Sequence, residues 1–87
     1  MARLESTLAY LESEWAAVPA WAAQWAEMSE FDRQDLWREW AIREDALNEI
    51  EQAREDGQLS ADQCRRVERL LAVIATDRPA VERLFAA

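Results

Sequence analysis

Residues 15–40 read WAAVPAWAAQWAEMSEFDRQDLWREW, and all five tryptophans of the 87-residue chain lie within them. Working outward, Leu4, Leu8, Leu11, Trp15 and Val18 recur at steps of four and three, the one-sided stripe of an amphipathic helix. Pro19 stands in the path of that stripe. Proline lacks an N–H and its ring clashes with the carbonyl four residues back, so the spacing predicts one helix over about 3–17. A short second helix is expected over about 19–28, with Pro19 in its first turn. The apolar phase nevertheless continues through Ala22 and Trp25.

Ser29 is placed to cap the next helix, and Glu30 and Asp32 lie near the positive end of its dipole. That third helix is expected over about 32–56. Its apolar positions are Leu36, Trp37, Trp40, Leu47, Ile50 and Ala53, with Arg43 interrupting the seam. Gly57 suits a left-handed C-terminal cap. Ser60 and Gln63 form a capping box, and Leu59 and Cys64 stand where a hydrophobic staple belongs. A fourth helix over about 61–76 turns Val67, Leu70, Leu71 and Ile74 inward, and a last one over about 79–86, beyond Pro79, buries Val81, Leu84 and Phe85.

The expected fold is therefore all-α: one domain over 1–87, a kinked bundle of four to five helices built on two antiparallel hairpins. The turn at Gly57-Gln58 pairs Ile50 with Val67, Leu47 with Leu70 and Glu51 with Arg66. A turn at Met28–Phe31 sets Trp25 against Trp37 and Trp21 against Trp40, with Trp15 near Ala46 and Leu47. Composition agrees. Glycine occurs once and proline twice, while 17 alanines and many leucines, glutamates and arginines favour helix over strand.

The same composition removes whole classes of chemistry. Without histidine there is no Ser-His-Asp or Cys-His nucleophile and no histidine-ligated metal, and without lysine no Schiff base or phosphate-binding P-loop. Glu51 and Glu55, Asp35 and Glu39, and Glu27 near Glu30 and Asp32 read as solvated acids, because none falls on an apolar stripe. Cys64 is read as a packed staple residue rather than a reactive thiol. No catalytic residue, metal ligand or cofactor is expected. Trp21 with Trp25, and Trp37 with Trp40, have a spacing that an aromatic cage for a quaternary ammonium also shows.

Charge and aromatic content point elsewhere. The net charge is −8, from 18 acids and 10 bases, all arginine. An acid excess disfavours nucleic acid and anionic membranes as partners, since both need a basic face. Residues 4–32 carry six acids and no base, and residues 44–62 carry seven acids and one arginine. No window is long and apolar enough for a signal or transmembrane segment, so a cytoplasmic location is expected, and the alanine–arginine bias suggests a bacterial source. The expected function is non-enzymatic protein–protein interaction, as an accessory or regulatory protein that self-associates, by default as a homodimer. Leu4, Leu8, Leu11, Trp15, Trp21 and Trp40 are the candidate contact residues. The alternative is an acidic inhibitor, antitoxin-like, anti-defence or DNA-mimicking, that blocks a basic partner.

Overall fold

The computed structural model describes residues 2–86. Three helices account for nearly all of it: α1 (Ala2–Ala23), α2 (Glu30–Glu55) and α3 (Ala61–Ala86), with a 3-10 turn at Trp25–Glu27 between the first two. Helix makes up 90% of the structure and no strand occurs among the described residues, so the all-α class holds. The division into four to five helices does not. The predicted breaks at Pro19 and Pro79 are absent, and both prolines sit inside uninterrupted helices.

Burial explains why. A proline inside a helix costs about 3 kcal/mol. Beyond Pro79, however, Val81 is fully buried and Leu84 and Phe85 are half-buried. Val81 alone is worth roughly 1.5–3 kcal/mol, and the two larger side chains exceed the remainder. Both prolines are exposed, on the water-facing side of their helices.

The local punctuation follows the sequence closely. The Ser29 hydroxyl accepts from the Asp32 N–H at 3.1 Å, which starts α2 at Glu30. Gly57 adopts φ +74°, and the N–H groups of Gly57 and Gln58 donate to the carbonyls of Arg54 and Ala53 at 3.2 and 2.9 Å. These two bonds are a complete Schellman cap. The Ser60–Gln63 box forms in both directions, Gln63 N–H to Ser60 Oγ at 3.1 Å and Ser60 N–H to Gln63 Oε1 at 2.9 Å. Cys64 is half-buried with a free thiol.

α1 is the element against which the others pack. It makes its broadest contact with α3 and a substantial one with α2, whereas α2 and α3 touch sparingly despite being joined by the shorter turn. Leu8, Leu11, Trp15 and Val18 of α1 lie in one cluster with Leu47 and Ile50 of α2 and Val67, Leu70, Ile74 and Val81 of α3. The expected partners Ile50, Val67, Leu47 and Leu70 thus share a core. Arg43, the residue that interrupts the α2 seam, is 3% exposed. It donates to Glu14 of α1 through Nε and Nη2 at 3.1 and 2.9 Å, and to Glu39 at 3.3 Å. A buried guanidinium is tolerated because these carboxylates stay partly in water and neutralise it.

The α1–α2 register differs from expectation by six residues of α1 at Trp40, nearly two turns. The chain reverses within Gln24–Ser29, earlier than the predicted Met28–Phe31 turn, so Trp40 meets Trp15 rather than Trp21. Trp37 meets neither Trp25 nor the core, and is 62% exposed.

Trp15 is 1% exposed at the centre of the cluster. Its replacement by alanine is expected to cost roughly 3–5 kcal/mol, while Trp37→Ala should stay within about 1 kcal/mol of the parent. Urea denaturation of both variants checks this. Equal losses at the two positions would contradict the burial pattern.

Candidate functional site

Aromatic side chains from all three helices converge at the end of the bundle that carries the α1–α2 turn. Phe85 of α3 is the hub, with ring-centre distances of 5.4 Å to Trp40, 5.5 Å to Trp25 and 6.4 Å to Trp21. Trp40 meets Trp15 edge-on at 5.2 Å, which ties the cluster to the core. Edge-on and offset pairs of this kind add roughly 0.5–1.5 kcal/mol each beyond the area they bury.

Trp37 lies outside the cluster. It follows Leu36 by one residue, about 100° around the helix, and so leaves the buried stripe of Leu36, Trp40, Arg43 and Leu47. Between Trp37 and the Trp25–Phe85 pair runs a groove of about 370 Å³, completed by Leu84 and by Glu30, Arg33 and Gln34. Glu30, Gln34 and Trp37 occupy successive turns of α2, so the wall follows the helix axis. Arg33 anchors the groove's turn-side end. Its Nε donates to the Trp25 carbonyl at 2.9 Å and its Nη2 to the Ala26 carbonyl at 3.0 Å, with the guanidinium 5.5 Å from the Trp25 ring centre. These contacts bind carbonyls of the 3-10 turn and fix that turn against α2.

A depression of about 550 Å³ at the opposite end is lined by Leu4, Gln58, Ser60 and Gln63. It offers one apolar side chain, and Ser60 and Gln63 are engaged in the capping box, so its volume brings little recognition chemistry. Among the described residues no group of cysteines and carboxylates is arranged to hold a metal ion. No described helix is long and apolar enough to cross a membrane.

The candidate contact residues separate by depth. Leu8, Leu11 and Trp15 are interior, and Leu4, Trp21 and Trp40 are half-buried against the core. The α1 stripe therefore packs inside the bundle. The exposed large apolar residues are Trp37, Phe31, Ile42, Val73 and Tyr10. Phe31 and Ile42 share the far flank of α2, but the Asp35–Arg38 ion pair separates them. Two of them adjoin further apolar surface: Val73, beside Trp15, Ala16 and Leu70 in a depression of about 240 Å³, and Trp37, the larger and more exposed, beside Trp25, Leu84 and Phe85. The tryptophan pairs do not form a shared cage either: Trp40 packs inward, Trp37 faces out, and Arg33 already covers a face of Trp25.

Arginines join the helices by ion pairs. Arg3 meets Glu49, Arg43 meets Glu14, Arg78 meets Glu44, Arg54 meets Glu68, and Arg66 meets both Glu5 and Glu12. The expected Glu51–Arg66 pair is replaced, because α1 packs on α3 and brings two carboxylates to Arg66. The acidity of α1 is thus largely neutralised by its neighbours. Among the described residues, nine acids have no arginine at ion-pair distance: Asp45 on α2, Asp77 and Glu82 on α3, and six near the two ends of α2. Glu27, Glu30 and Asp32 lie near the α1–α2 turn, where Glu30 lines the aromatic groove, and Glu51, Glu55 and Asp56 lie near the other turn. No protein-family model, curated protein or solved structure matches the chain.

The Arg66 cluster generates a pH dependence. The hydrogen bond from Arg66, then that from Gln63, holds the Glu5 carboxyl below its ordinary range, and the hydrogen bonds to Glu12 and Glu5 raise the Arg66 guanidinium. A carboxyl whose pKa is lower folded than unfolded stabilises fully above its ordinary value and loses that effect as pH falls through the folded value. Glu5→Gln should therefore be less stable than the parent at about pH 6, with the gap narrowing towards about pH 3. Urea midpoints across this range check it; a gap independent of pH would contradict the pairing.

Proposed function

We propose that the protein is a non-enzymatic protein–protein interaction module, of the accessory or regulatory kind, whose contact surface is the aromatic groove beside Trp37. One observation carries this reading. A large aromatic side chain stands exposed beside an unfilled groove floored by other aromatics, in a domain that buries its remaining tryptophans wholly or in part. Exposed tryptophan next to a fillable groove is the composition of an interface hot spot. Self-association through the Leu4–Leu8–Leu11 stripe draws less support, since that stripe packs inside the bundle.

The acidic-inhibitor reading is favoured by one feature, the carboxylates left unneutralised at the ends of α2. A mimic of duplex DNA needs charges repeated along a continuous face, about one per 1.7 Å of axis. Here the acids of α1 are interrupted by arginines from its neighbours, so the support extends to a local basic contact and not to an extended mimic.

Trp37→Ala should abolish complex formation, whether with another protein or with a second copy, while leaving the urea midpoint close to that of the parent. Sedimentation velocity of both forms over a micromolar range, alone and with a captured partner, reads this out. Complexes that persist unchanged in Trp37→Ala would place the contact surface elsewhere.

A further inference from the structure

We infer that a second copy of this chain docks antiparallel along the outer face of α2. Phe31, Asp35, Arg38 and Ile42 of each copy face the same four residues of the other. This contact is separate from the groove beside Trp37 and adds a second surface with its own partner.

The order of these residues selects the occupant. Phe31, Asp35, Arg38 and Ile42 follow one another at steps of four, three and four, the spacing of a helix–helix seam. That spacing keeps them within about 60° of one another around the helix. They lie on the side of α2 away from Trp40 and Leu47, which face the core. Phe31 and Ile42 are 68% and 59% exposed, so nothing in the chain covers either end of the stripe. Asp35 and Arg38, between them, are ion-paired to each other.

Read backwards, the stripe is apolar, base, acid, apolar, which is the complement of its forward order. An antiparallel copy therefore sets Phe31 against Ile42 and Asp35 against Arg38 in a single register, twice each. One two-fold axis, level with residues 36 and 37, generates all four contacts. A parallel copy would set acid beside acid and base beside base. A second copy thus supplies the required complement with no further assumption about its sequence.

The hydrogen-bonding capacity agrees. Arg38 reaches its own Asp35 through Nη2 alone, so its Nε and Nη1 remain to donate to the carboxylate of the second copy's Asp35. The four charges then alternate in sign around the axis, and the ion pair that separates the two apolar ends becomes part of the seam. On one flank Gln34 and Ala41 are uncharged. On the other, Arg43 holds Glu39 at 3.3 Å, which leaves Asp32 as the unpaired charge there.

The stripe is short, bounded by the Ser29 cap at one end and Asp45 at the other. Four seam residues a copy compare with about 20–30 residues a side in a standard interface, so this dimer is weaker than micromolar. The micromolar test of the groove leaves it dissociated, and the two readings fail independently.

Sedimentation velocity of the full chain from about 20 μM to about 1 mM should show a reversible monomer–dimer equilibrium. Asp35→Arg and Arg38→Asp each place like charges across the axis and should weaken self-association at least about tenfold. An equimolar mixture of the two variants should associate again, because one then presents two bases on the stripe and the other two acids. Phe31→Ser should weaken the dimer about tenfold while leaving the urea midpoint close to that of the parent. Trp37→Ala should leave the dimer unchanged. A chain that stays monomeric to about 1 mM overturns the inference, as does a dimer that survives both charge reversals. Failure of the mixture to associate removes the antiparallel register and, with it, the second copy as occupant. Loss of the dimer in Trp37→Ala but not in Phe31→Ser overturns the inference and moves self-association to the groove.

Discussion

The buried stripe of α1 is the constraint on which the rest of the structure depends. α2 and α3 are joined by a tight turn but contact each other sparingly, so neither buries its apolar face without α1. Leu8, Leu11, Trp15 and Val18 supply the shared surface, each at most 1% exposed. The electrostatics follow from the same placement. Arg43 of α2 and Arg66 of α3 both turn toward α1, where Glu14, Glu5 and Glu12 receive them. These interhelical contacts specify one arrangement of three helices more than they add net stability, because exposed ion pairs contribute little and buried ones must first be desolvated.

With the core filled by α1, the aromatic supply of the chain divides. Trp15 enters the interior, and Trp21, Trp25 and Trp40 line the junction around Phe85. Trp37 has no place in either layer because its position on α2 points about a quarter-turn away from the seam. The charge divides too: the acids of α1 are all matched by arginine, while Glu30 beside Trp37 is not. An unmatched tryptophan and an unmatched carboxylate therefore coincide at one end of the molecule. That coincidence supports the proposed contact surface there.

What the sequence made legible was local. Ser29, Gly57 and the Ser60–Gln63 box act within four residues of themselves, and each appears where its spacing places it. Leu47, Ile50, Val67 and Leu70 were legible as core residues from their helical spacing, but their pairing across a hairpin was not, because α1 packs on both helices. Pro19 and Pro79 were misread as ends because proline's cost is local while the burial that outweighs it is tertiary. The apolar phase continuing across both was the signal that could have decided it. The α1–α2 register escaped because the reversal passes through a 3-10 turn, whose centre no capping motif marks. Arg66 could not be assigned from the hairpin, since its partners lie more than fifty residues away. Trp37 was not separable by spacing alone, because consecutive residues such as Leu70 and Leu71 do pack against the same core.

Solvent exchange of the five indole N–H groups, followed by NMR in deuterated water, tests the division of the tryptophans most directly. The Trp15 and Trp21 indole nitrogens are buried and Trp37 is exposed. The Trp15 N–H should therefore persist longest, with Trp21 also protected, and the Trp37 N–H should exchange first. Protection of Trp37 equal to that of Trp15 in the isolated chain, or immediate exchange of Trp15, would contradict both the central role of α1 and the open groove beside α2.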